Sequence, residues 1–143
     1  MSETIVVSNY ATLIAFGKTL KTSCIILDHL HGNPAYPEDK WGKPGIVAYQ
    51  PQRFPPGIWL IGDPEFQVNP LTAPYFIPTD AHQIVVCVDG TVFDDWGYGA
   101  HADALYETTL GCLHLYSADD AEWLAGEIIS AKQAGELIQL VVS

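Results

Sequence analysis

Apolar positions set the first expectations. From Asn9 to Leu20, the residues Tyr10, Leu13, Ile14 and Gly17 recur at intervals of three and four, the spacing that lays one stripe along a helix, with Asn9 or Ser8 as N-cap. Ser23 then caps a short second helix from Cys24 to about His31, closed by Gly32; one helix from Asn9 through Leu30 is the competing reading. The prolines fall between Pro34 and Pro78 and disfavour helix there, so Gly45–Gln50 and Gly57–Ile61 read as strands and residues 63–80 as a long surface excursion. Gln83–Val88 is a β-branched run, Asp89-Gly90 is a hairpin dipeptide, and Thr91-Val92-Phe93 runs back. Ser117 opens a third helix with Asp119 and Asp120 in its first turn, Trp123, Leu124, Ile128 and Ala131 on its apolar face, and Gly135 at its end. Leu137–Val142 is a last strand. Helix, helix, strands, helix, strand, with mostly antiparallel pairing, predicts an α+β domain.

Composition narrows the function classes. The 143 residues make one domain, and 48% hydrophobic against 16% charged residues excludes a disordered chain. Six Lys and Arg against 17 Asp and Glu give a net charge of −11, which argues against nucleic acid and anionic membrane as partners and admits a basic protein or peptide. No apolar run is long enough for a membrane span, and Met1-Ser2-Glu3-Thr4 lacks the basic start of a secretory signal. Cys24, Cys87 and Cys112 form neither a disulfide framework nor a zinc pattern, so reduced thiols in a cytoplasmic setting are the simplest reading.

Three residues attract chemical interest. Cys24 at a helix start would sit near unpaired backbone N–H groups that lower a thiol pKa; the alternative is a small apolar residue packed under the helix. His82 stands at the mouth of the hairpin's first strand, as a base or as a plain loop histidine. Asp94 and Asp95 end the returning strand, where an acid can fix an imidazole tautomer or merely lead into Trp96-Gly97-Tyr98-Gly99. With a two-residue turn, Val88 faces Thr91 and strict pleating puts His82, Val86, Thr91, Phe93 and Asp95 on one side; a β-bulge would bring Asp94 there instead.

The segment from His82 through Asp94-Asp95 resembles the histidine hairpin of papain-like and transglutaminase-like cysteine enzymes, nearest to the short forms in bacterial papain-fold toxin domains and lasso-peptide leader peptidases. Cys24, Gly32 and Gly45–Tyr49 are similar to the upstream cysteine, glycine and strand of those families. The resemblance spans residues from about 20 to 97. It implies a papain-like fold, N-terminal helices with the nucleophile at a helix start packed on a mostly antiparallel sheet. It also implies thiol-dependent amide hydrolysis or acyl transfer without a cofactor. In that scheme Cys24 is the nucleophile, His82 the general base and Asp94 its orienting partner, with Asp95 the alternative. The upstream glutamine of the family is missing from Phe16-Gly17-Lys18-Thr19, so backbone amides, Gln83 or Trp96 would have to serve the oxyanion.

Two other readings compete. A non-catalytic acidic protein (immunity, adaptor or inhibitor) would dock a basic partner through the 63–80 loop. A metal site would be built on His29 and His31 with Asp28, His101 or Asp103, although residues two apart on a helix point about 200° apart. His114, between Leu113 and Leu115, reads as an exposed or hydrogen-bonded strand histidine, and Trp96 and Tyr98 as possible walls of a groove.

Overall fold

The computed structural model describes residues 2–26, 53–69, 72–86, 90, 92–102, 108–109 and 111–143. Strand accounts for 52% of it, and the α+β arrangement of N-terminal helices on a sheet is not what forms. The N-terminal part is entirely extended: β1 (Ser2–Ser8), β2 (Thr12–Ala15), β3 (Lys18–Ser23) and β4 (Ile25–Ile26). Two turns decide this. Asn9 and Tyr10 have φ of 53° and 51°, and Phe16 and Gly17 have φ of 49° and 74°. Ala15 pairs with Lys18 across Phe16-Gly17, a two-residue loop with both residues left-handed, the twist that suits an antiparallel hairpin. Leu13, Ala15, Leu20 and Thr22 are buried in alternation, so the operative period is two and the apparent three-to-four spacing is incidental. The helix expected to begin at Cys24 is likewise replaced by β4; its remainder and the expected strand 45–50 lie outside the described residues.

The later elements follow the sequence reading more closely. They are β5 (Gly57–Leu60), β6 (Glu65–Phe66), β7 (Tyr75–Pro78), β8 (His82–Val86), β9 (Val92–Trp96), β10 (Gly99–Ala102), β11 (Thr108–Thr109), β12 (Leu113–Leu115), α1 (Ala118–Gln133) and β13 (Leu137–Val142). The stretch expected as a loop, 63–80, thus contributes two strands. Ser117 caps α1 by accepting from the Asp120 amide at 3.0 Å, Asp119 and Asp120 occupy the first turn, and Gly135 follows with φ 80°. None of the described helices is long and apolar enough to cross a membrane.

Nine strands form one sheet in the order β5-β13-β1-β2-β3-β12-β10-β7-β6. The first and last strands run parallel in register from Ser2 opposite Leu137 to Val7 opposite Val142. Helix α1 packs on β13 and also on β12, β10 and β7. In a flat sheet β13 and β7 would stand about 29 Å apart, six strand spacings, whereas a helix is about 10–12 Å wide. The sheet therefore curls into a half-barrel around α1. Its concave side buries Ile5, Val7, Leu13, Ile77, Leu113, Leu115, Ile138 and Leu140 against Ala121, Leu124, Ala125, Ile128 and Ala131. Curling brings edge strand β5 to the end of β7, where Ile61 bridges Thr79, the Gly62 amide donates to Pro78 O at 2.9 Å and Asp80 Oδ1 accepts from the Leu60 amide at 2.7 Å.

Two glycines test this description. Gly17→Ala should destabilise by about 1 kcal/mol through the backbone alone, since an added Cβ meets nothing within 4 Å. Gly99→Ala should cost more, about 2–3 kcal/mol. There a Cβ would lie 2.5 Å from the Ile77 carbonyl oxygen of the neighbouring strand and from the Phe76 ring. Urea unfolding of both variants measures the order; equal costs would contradict the close β7–β10 approach.

Candidate functional site

Hairpin β8–β9 leaves the sheet between β7 and β10 and forms a separate two-stranded unit. At its base the Thr79 amide and hydroxyl both donate to Tyr98 O, at 3.2 and 2.6 Å. Pro78 pairs with Gly99 in the main sheet and His82 with Trp96 in the hairpin, so Asp80 and Ala81 stand opposite Gly97 alone, whose φ is 99°. This is a bulge, placed at the hairpin's root. The ladder ends with Val86 opposite Val92, leaving residues 87–91 between them. That odd number is incompatible with Val88 facing Thr91, and the register moves by one residue relative to the tight-turn expectation. A one-residue shift exchanges the faces. His82, Ile84, Val86, Val92, Asp94 and Trp96 share the outer face; Gln83, Val85 and Asp95 point inward.

On the outer face His82 Nδ1 lies 2.9 Å from Asp94 Oδ1. A carboxylate only accepts, so Nδ1 carries a hydrogen, and in the neutral form of the ring Nε2 holds the lone pair. Trp96 stacks on the imidazole at 4.1 Å and 3° and donates its Nε1–H to Asp94 Oδ2 at 3.0 Å. Trp59 of β5 meets the same imidazole edge-on at 5.8 Å. The structure thus joins His82 with Asp94, and Asp95 is turned away. Asp95 is buried on the inner face, where Tyr98 donates its hydroxyl to Oδ2 at 2.8 Å. Gln83 Nε2 donates to that hydroxyl oxygen at 2.8 Å and to Arg53 O at 2.7 Å. Both amide hydrogens of Gln83, and the indole hydrogen of Trp96, are therefore engaged, so neither side chain is left to serve an oxyanion.

Cys24 lies elsewhere. Its sulfur is buried after β3, accepts from the Phe54 amide at 3.3 Å and donates to Gly111 O at 3.4 Å. The Phe54 ring packs edge-on to Tyr98 at 5.7 Å, which places Cys24 behind the inner face of the hairpin while His82 occupies the outer one. Among the described residues the partners of His82 are Asp94, Trp96 and Trp59, and the thiol of Cys24 is not one of them. No helix begins at Cys24, so the dipole that would acidify it is missing as well. Cys112 is half-buried, and its thiol is pushed up to about 12, chiefly by desolvation and further by Cys24 and Asp95. Cys87, Asp28, His29, His31 and Asp103 lie outside the described residues. Among the described residues no three His, Cys, Asp or Glu side chains are grouped to hold a metal ion.

Sequence reasoning missed one polar cluster. His114 is 3% exposed on β12, opposite His101 on β10 and Ser23 on β3. Its Nδ1 is 3.4 Å from Ser23 Oγ, its ring meets Tyr116 at 5.0 Å, and its buried Nε2 has no hydrogen-bond partner among the described residues. Alternation of His114 with Leu113 and Leu115 gave the strand correctly, but β12 is central and covered on both faces, so alternation did not mean exposure. Comparison of the chain with protein-family models, with curated proteins and with solved structures gives no match.

The thiol environments are directly measurable. A rise from 9.0 to about 12 leaves Cys112 with roughly a thousandfold less thiolate than an ordinary cysteine. Mass-mapped iodoacetamide labelling near pH 8 should be slow at both Cys24 and Cys112 in the native protein and fast after denaturation. Labelling of Cys24 should be unchanged by His82→Ala. Rapid labelling of Cys24 that slows in that variant would instead establish a working thiol–imidazole pair.

Proposed function

We propose that this is a non-catalytic protein-binding protein, and that its docking surface is the outer face of hairpin β8–β9. The observation that carries the reading is an inverted polarity. Ile84, Val86, Val92 and Trp96 stand 63, 60, 63 and 51% exposed on the outer face, while Gln83 and Asp95 are turned inward into hydrogen bonds. A strand pair that only needed to be soluble would place its side chains the other way round. Two-stranded hairpins are marginal in water by themselves, and this one is held from its inner side, which leaves the apolar side available. The Trp96–His82–Asp94 stack fixes an aromatic side chain before binding, so little rotamer freedom is lost when a partner covers it. With a net charge of −11 and Asp94 on the same face, the favoured partner is a protein or peptide carrying basic residues around an apolar contact.

Selection of a random-peptide phage library on the immobilised protein tests this. Enriched peptides should combine Lys or Arg with apolar residues and weaken as salt is raised. They should lose about tenfold or more in affinity for an Ile84→Glu, Val92→Glu double variant, the size expected when central apolar contacts are removed. Ile58→Glu, on an exposed position of β5, serves as the control. Peptides that bind the double variant as well as the native protein would overturn the assignment.

A second reading rests on the His82–Asp94 pair, because an imidazole held at Nδ1 with Nε2 open is the arrangement of a general base. Thiol-dependent amide hydrolysis or acyl transfer would additionally require Cys24 to leave its bonds to Phe54 and Gly111 and reach the opposite face of the hairpin. The labelling experiment above separates the two readings, since only the enzymatic one makes Cys24 reactivity depend on His82.

A further inference from the structure

The chain's few cations are distributed unevenly. Lys21 and Arg53, two of the six, line one cavity of about 300 Å³ together with Tyr10, Ser23, Cys24 and Tyr116. Among the described residues no carboxylate lines it. In a protein where acids outnumber cations 17 to 6, two cations with no acid among the described lining residues are a local reversal of charge. Neither cation has an ion-pair partner among the described residues. Instead Lys21 Nζ sits 4.7 Å over the Tyr116 ring and Arg53 Cζ 5.5 Å over the Tyr10 ring. The rings position the cations without neutralising them.

The tyrosine under Arg53 is itself held at a cost. Tyr10 has φ 51°, a region that bulky residues seldom occupy. Its hydroxyl donates to Phe54 O at 2.6 Å, which fixes the ring against the segment carrying Arg53. Burial, with Cys24 adding and Arg53 opposing, pushes that hydroxyl's pKa up, so it remains a donor at neutral pH.

The cavity also has a neutral donor, and the unpartnered nitrogen of His114 identifies it. Neutral imidazole carries one N–H and one lone pair. A buried N–H with no acceptor is costlier than an empty lone pair, so the bare Nε2 is the acceptor and Nδ1 carries the hydrogen. Nδ1 then donates to Ser23 Oγ at 3.4 Å, and the Ser23 hydroxyl keeps its own hydrogen for a group inside the cavity. Two cations and a hydroxyl donor line one open pocket.

We infer that this cavity binds a small molecule through an oxyanion group, a carboxylate or a phosphate, held by Lys21 and Arg53 with Ser23 as the neutral donor. The site is separate from the outer hairpin face and does not depend on its role. Amide-detected NMR titrations at constant ionic strength, one with inorganic phosphate and one with benzoate against sodium chloride as reference, distinguish the two chemistries. Saturable shifts confined to Tyr10, Lys21, Ser23, Arg53 and Tyr116 are expected with at least one of them. Lys21→Met and Arg53→Met, both at exposed positions, should each weaken that binding by about tenfold, the scale of one charge-assisted hydrogen bond. Lys18→Met changes the net charge equally at a lysine stacked on Trp123, outside the cavity, and should leave binding within about twofold. Shifts that fail to saturate with both anions, or an equal loss in Lys18→Met, would overturn the site.

Discussion

One helix dictates the shape of everything else. The apolar stripe of α1, made by Ala121, Leu124, Ala125, Ile128 and Ala131, is the surface that the concave side of the sheet must cover, and strands six places apart in the order cover it together. Small residues on that stripe let the strands approach closely, and the sheet's twist supplies the curl. Once it curls, β5 arrives beside the end of β7, and the bridge from Ile61 to Thr79 fixes the point from which hairpin β8–β9 departs. The exposed apolar face of the hairpin and the cavity beside Cys24 are both consequences of that closure. The hairpin is rooted at the seam, and the segment carrying Arg53 and Phe54 is trapped between hairpin and sheet.

How much of this could be read from the chain varies with the range of the interactions responsible. Local chemistry was legible. Ser117 with Asp119 and Asp120 named the helix start, Gly135 its end, and the β-branched run with Asp89-Gly90 named the hairpin. Residues 9–23 failed because Tyr10, Leu13, Ile14 and Gly17 satisfy a helical spacing, while Leu13, Ala15, Leu20 and Thr22 satisfy a strand spacing equally well. Burial chooses between them, and burial is a property of the whole sheet. The available signals for strand were Gly17 between two short runs and the threonines at 12, 19 and 22, which favour extended backbone.

The candidate chemistry divides along the same line. His82 and Asp94 are neighbours because they sit on two strands of one hairpin, a contact that turn length alone determines. The register was still misplaced by one residue under a two-residue turn, and Asp94 rather than Asp95 meets the imidazole because the ladder leaves five residues between Val86 and Val92. Cys24 depended on two long-range conditions: a helix to lower its pKa and a fold to carry it to His82. The helix is replaced by a strand, and the thiol lies on the other side of Phe54. For His114 the strand was legible but its burial was not, since nothing in Leu113-His114-Leu115 announces a strand covered on both sides.

The inward-turned polar residues are what keep the hairpin's apolar side chains outside. Were β9 to slip by one position, Asp95 would leave Tyr98 and face solvent, and Asp94 with Trp96 would have to enter the space beneath. A buried carboxylate that accepts from a tyrosine hydroxyl, itself accepting from an amide, loses those directional bonds in such a slip. An apolar inner face would have stabilised the hairpin as well, but it would tolerate either register far more evenly. The Gln83–Tyr98–Asp95 chain therefore acts on specificity: it commits one face of the hairpin to the interior and leaves Ile84, Val86, Val92 and Trp96 exposed on the other. Their exposure is imposed by the hydrogen bonds beneath, which is the physical ground for assigning them to an external partner.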